Sequence, residues 1–130
     1  MRLGLSDAVV ARLRAGFGLA VRRLESSEPC RHLFAGLSID PLPLLSQLFY
    51  YPAGSNQNNR SCRVRASAYT EVGSHVTWVC DTFALLSERQ AAMVILHEAL
   101  HAAGLPEQPH VPGAMTSAEI NAMVAARCAL

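Results

Sequence analysis

At 130 residues the chain is one domain's worth of sequence, long enough to bury a single core and too short for two. Hydrophobic residues make up 51% and charged residues 16%, which excludes a disordered chain, and no apolar run reaches the roughly 18 to 20 residues of a membrane span. The basic side chains are all arginine and, with ten acids, leave a formal charge of +1, so no overall field is available to hold a nucleic-acid backbone or an anionic membrane.

The start of the chain does not read as a secretion signal, because Asp7, Arg12 and Arg14 interrupt any apolar stretch. An exported protein of this sequence is expected to be a mature form. From Ser6 to about Glu25, Val10, Leu13, Phe17, Val21 and Leu24 recur at helical spacing, which predicts an amphipathic packing helix weakened by Gly16 and Gly18. Asp40 followed by Pro41 marks a second helix start, running to about Phe49, where Tyr50, Tyr51 and Pro52 close it. The polar run from Gly54 to Ser61 predicts a surface loop.

Residues Cys62 to Tyr69 and His75 to Cys80 flank a Glu71-Val72-Gly73-Ser74 turn and predict a β-hairpin. The cysteines at its outer ends are within bridging reach if they face each other, so Cys62 with Cys80 is the expected disulfide, leaving Cys30 with Cys128. The four cysteines carry no C-x-x-C spacing that would favour a zinc-thiolate site. Two disulfides imply an oxidising compartment, and a secreted or extracytoplasmic location is expected, with the cytoplasm as the alternative. Ser87 with Gln90, and Thr116 with Glu119, are capping boxes that open helices to about Ala103 and Cys128, the first stopped by Gly104 and Pro106.

Within the first of these helices lies His97-Glu98-Ala99-Leu100-His101, an H-E-x-x-H pattern. Residues four apart lie about 40° apart around a helix, so both imidazoles can reach one ion, and Glu98 projects to the same side. Zinc suits such a pair, and a carboxylate beside the ion but outside its coordination shell can take the proton of a bound water. Glu98 is the expected general base. Ala92, Met93, Leu96, Ala99, Leu100 and Ala103 make the helix apolar nearly all round, a setting in which unpartnered polar groups are costly.

The run from His97 to Glu107 resembles the metzincin metallopeptidase signature, and Gly104-Leu105-Pro106-Glu107 is similar to the corresponding run of its small snapalysin-like members. The resemblance makes Gly104 the sharp turn at the helix end and places Glu107 where the third zinc ligand falls, a position that those families fill with His or Asp. His110, in the same loop, is the alternative third ligand. Gly113-Ala114-Met115-Thr116 resembles the Met-turn, with Met115 beneath the metal. The frequent tyrosine just after that turn is absent, so the resemblance identifies no oxyanion stabiliser. It covers residues 87 to 128 and hardly touches the first 60.

These readings predict a compact α+β, zincin-like domain over residues 1–130, with Zn2+ held by His97, His101 and Glu107. The expected function is zinc-dependent endopeptidase hydrolysis through a metal-bound water activated by Glu98. The resemblance implies an extended peptide substrate along an edge strand, for which His75 to Val79 is the candidate; Trp78 either shapes a subsite or packs the hairpin. His32 and His75 lack ligand spacing and are read as non-ligands. Two alternatives remain: a metal-dependent endoribonuclease with a related H-x-x-x-H-x-x-G motif, and a non-catalytic zinc-stabilised peptide-binding module. No nucleic-acid partner and no membrane span are expected, and the sequence is silent on oligomeric state.

Overall fold

A computed structural model describes residues 4–55, 62 and 66–130, and it shows an α+β arrangement of helices around a small mixed sheet. Helix α1, Asp7–Ser26, begins where the Ser6 side chain accepts from the Val9 N–H, and it buries Val9, Leu13, Leu19 and Leu24. Its main partner is α4, introduced below. Gly16 makes the close approach possible: a Cβ built there would lie 2.6 Å from Ala91 Cβ and 2.9 Å from the Ala91 carbonyl carbon. The short α2, Glu28–Arg31, follows, with Cys30 fully buried.

Helix α3, Pro41–Ser46, is capped by Asp40, whose side chain accepts from the Leu42 N–H at 3.2 Å. It ends before Phe49, contrary to the expectation from sequence, because Phe49–Pro52 is strand β1. Pairing with a distant strand decides this segment: the Phe49 N–H donates to the His75 carbonyl at 2.8 Å.

Strands β2, Ala68–Thr70, and β3, Val76–Val79, form the antiparallel pair expected of the hairpin, and β1 runs parallel to β3 on its other side. The order β1-β3-β2 makes β3 the central strand. His75 to Val79 is therefore not an edge for a peptide: its main-chain groups are engaged on both sides, and β2 takes the edge position instead. Side chains alternate across the sheet. Thr77 and Val79 are buried on the inner face, while Trp78 lies on the other face with Tyr51, ring centroids 5.9 Å apart. Trp78 is packing for the sheet.

Helix α4, Glu88–Ala102, and helix α5, Ser117–Cys128, both open with the predicted capping boxes. Helix α4 is the centre of the core, with Ile95, Leu96 and Leu100 fully buried against Leu24, Phe83, Ile120 and Val124. Both expected disulfides are formed, Cys30–Cys128 between α2 and α5 and Cys62–Cys80 beside the sheet. Most of the expected Gly54 to Ser61 loop and residues 63–65 of the expected Cys62 to Tyr69 strand lie outside the described residues; Cys62 is helical, and the strand begins only at Ala68. No helix among the described residues is long and apolar enough to cross a membrane.

Candidate metal centre

The end of α4 builds the site. Gly104, at φ +112°, donates its N–H to the His101 carbonyl at 3.0 Å, and the Leu105 N–H donates to the Leu100 carbonyl at 2.9 Å. These are the paired bonds of a Schellman turn, which calls for a left-handed residue at this point. The turn sends the chain back along the helix, so that Glu107 Oε1 lies 2.9 Å from His97 Nε2 and 3.2 Å from His101 Nε2. It also presents the Leu105 carbonyl to His101 Nδ1 at 2.8 Å.

The two imidazoles stand edge to face with centroids 4.9 Å apart, and both are buried. His97 Nδ1 is 2.7 Å from Asn121 Oδ1, which reaches across from α5. Burial lowers the pKa of His97 and so favours its neutral form; the neighbouring His101 acts the same way, while Asn121 and Glu107 partly oppose it. Donor atoms of His97, His101 and Glu107 lie within 4.8 Å of one another.

The chemistry of this donor set suits a cation. A carbonyl and a carboxylate only accept, so His101 faces an acceptor at each ring nitrogen; a neutral ring that keeps its proton on Nδ1 for Leu105 leaves an Nε2 lone pair that a cation between it and Glu107 would satisfy. Three donors brought together in a buried site could hold a divalent ion, and two imidazoles with one carboxylate are ordinary zinc ligands. Of the two loop candidates for third ligand, Glu107 meets the histidines, whereas the exposed His110 lines the wall of the cleft. His32 and His75 are exposed and lie outside the donor group, His32 being 3.4 Å from Glu28. Met115 packs half-buried against the core, and its carbonyl accepts from the Gln108 N–H at 3.0 Å, tying the metal loop to the start of α5.

Glu98 is buried beside the donor group, and its Oε1 has no hydrogen-bond partner. Burial pushes its pKa well above the ordinary 4.5, with the charge of Glu107 adding to the rise, while the hydroxyl and backbone N–H of Thr70 pull the other way. The Thr70 hydroxyl is itself 2.7 Å from that of buried Thr77.

His97, Glu98, His101, Glu107 and Asn121 open on a cleft of about 750 Å3 that Ala66 to Val72 also line. The main chain of β2 is directed into that space. The Cys80 N–H donates to the Ser67 carbonyl at 2.9 Å, which makes 67 and 80 a hydrogen-bonded pair, and antiparallel alternation then turns the N–H and C=O of Ala68 and Thr70 away from β3.

No known family matches the chain, and comparisons with curated proteins and with solved structures also found no match. Three polar neighbours of the site, Asn121, Thr70 and Thr77, were not singled out from sequence. Their partners lie on other elements, and a polar residue beside the apolar stripe of a helix, or a threonine in a strand, carries no local sign of what it will touch.

Proposed function

We propose that the protein is a zinc-dependent endopeptidase of metzincin-like design, working in an oxidising, extracytoplasmic compartment. The observation that carries this reading is the convergence of His97 Nε2, His101 Nε2 and Glu107 Oε1 beside the unpartnered Glu98 Oε1, in one cleft walled by an edge strand. His97, His101 and Glu107 would hold the ion, which when bound supplies a Lewis acid that acidifies water and polarises a carbonyl.

The chain's own residues account for the rest of the chemistry. An extended peptide adds to β2 through the outward main-chain groups of Ala68 and the carbonyl of Thr70, whose N–H is held by Glu98, and this sets the peptide carbonyl over the site. Glu98 takes a proton from the attacking water at its carboxylate. The water oxygen bonds to the peptide carbonyl carbon, the C–N bond breaks, and Glu98 passes the proton to the leaving nitrogen.

Three donors among the described residues, rather than the four of a closed structural zinc site, support catalysis over a purely structural ion. The test is zinc content and peptide hydrolysis in parallel. Glu98→Ala keeps zinc and loses hydrolysis, and His97→Ala loses both. Full hydrolysis by the Glu98 variant would sink the mechanism.

A further inference from the structure

The two histidines are held at their outer nitrogens by unlike acceptors. His101 Nδ1 faces the Leu105 carbonyl, a backbone group that can act only as acceptor. His97 Nδ1 faces a side-chain amide on another helix, and an amide can offer either its oxygen or its NH2 group. With the NH2 group inward, the His97 proton would sit on Nε2, where it blocks a metal ion. With the oxygen inward, as the structure has it at 2.7 Å, the proton sits on Nδ1 and the Nε2 lone pair points at Glu107.

We propose that Asn121 is a positioning residue for the metal: it fixes the Nδ1–H tautomer of His97, so that the affinity of the site depends on a helix that supplies no ligand. The proposal rests on the metal-binding part of the reading above and is independent of whether any peptide is cut. The placement of Asn121 fits the role. Ile120 and Val124, on either side of it in α5, are fully buried, and the far end of the helix is joined to α2 by the Cys30–Cys128 disulfide. The amide is thus delivered from a fixed base rather than from a loop. An outer partner of this kind orients a ligand imidazole and raises its basicity, and its loss typically costs 10- to 100-fold in metal affinity.

The experiment measures Zn2+ affinity of the full chain by competition with a chromophoric chelator, for the native protein, Asn121→Leu and Asn121→Asp. Asn121→Leu is expected to bind zinc about 10- to 100-fold more weakly. Asn121→Asp, which keeps an acceptor at the same place, is expected to restore binding to within a few-fold of native. Long-range 15N–1H NMR of the zinc-free full chain supplies a readout that a structural role would not move. The native protein should carry a proton on His97 Nδ1, whether or not Glu107 holds another on Nε2, and Asn121→Leu should lose the Nδ1 proton while His101 stays as it was. Unchanged zinc affinity in Asn121→Leu, equal losses in the Leu and Asp variants, or a native His97 with no proton on Nδ1 would each overturn the proposal. Failure of the peptidase reading would show separately, as a zinc-loaded native chain that hydrolyses no peptide.

Discussion

The Gly73 N–H donates to the His101 carbonyl at 2.8 Å, so the turn that ends β2 is bonded to the last turn of the helix that carries both imidazoles. The wall of the cleft and its floor are thereby one unit. Gly73 adopts φ +83° with open space where a Cβ would be, so the demand for glycine is conformational and not one of room. Gly73→Ala is expected to cost about 1–2 kcal/mol in urea unfolding, and Gly73→Asn less, because asparagine visits the left-handed region more readily. Zinc content should stay near native in both while peptide hydrolysis falls, since the edge strand moves and the ligands do not.

Gly16 and Gly18 share a helix and are expected to respond to alanine with opposite signs. At Gly18 the new methyl meets only the tip of Arg22 at 3.4 Å, so Gly18→Ala should stabilise by up to about 1 kcal/mol through helix propensity. At Gly16 it meets Ala91 at 2.6 Å and backbone atoms that cannot step aside, which forces α1 away from α4. Overpacking of this kind costs about 1–3 kcal/mol, more than the propensity gain, and chemical denaturation of the two variants would show it. Equal stabilisation by both would mean that α1 does not lie on α4 as described.

Much of α4 is legible in sequence because its signals are local: a capping box at Ser87, an i, i+4 histidine pair, and a glycine where the helix stops. Which loop residue joins the two histidines is less so. Glu107 and His110 occupy one loop, and what selects Glu107 is the path of the chain after Gly104, together with the Gln108 bond to the Met115 carbonyl. The position of β3 in the sheet is hidden from sequence for a related reason. Phe49–Pro52 follows a proline-started helix and reads as its end, yet it pairs with Val76–Val79 and so converts β3 from edge to centre. Such long-range pairing leaves no trace in the spacing of nearby residues. The disulfides were readable because Cys62 and Cys80 bracket a hairpin, which left one partner each for Cys30 and Cys128.

Glu98 links the proposed chemistry to stability. Its folded-state pKa lies above the ordinary 4.5 because of burial, so the folded chain holds this proton longer than the unfolded one. Below about pH 4.5 both states are protonated and the carboxyl causes no loss; as pH rises toward the folded-state value, ionisation increasingly favours the unfolded chain. Glutamine keeps the shape and cannot ionise. In the zinc-free protein Glu98→Gln should therefore raise stability, by about 1–3 kcal/mol at neutral pH and less as the pH is lowered to 4.5. Hydrolysis by the zinc-loaded variant should fall about 100- to 10,000-fold, the usual worth of a general base. Thermal scans from pH 4.5 to 8 decide the first part; a stability gain that did not grow with pH would place the buried charge elsewhere.

The two disulfides should differ in what they contribute. Cys30 and Cys128 are 98 residues apart in sequence and Cys62 and Cys80 only 18, so the first closes by far the longer loop in the unfolded chain. Loop entropy alone gives about 4.7 kcal/mol for a span near 100 residues and about 3 kcal/mol for one near 15. The sulfurs of Cys30 and Cys128 also sit in the core, where both residues are fully buried and where alanine leaves a small void. Paired replacement of Cys30 and Cys128 by alanine is thus expected to lower unfolding free energy by more than paired replacement of Cys62 and Cys80, measured in urea with zinc removed. Adding zinc in excess should recover part of both losses, because an ion that binds only the folded chain stabilises it by mass action. If Asn121 acts on His97 as proposed, recovery should also need a higher zinc concentration in the Cys30/Cys128 variant, whose α5 has lost its tie to α2.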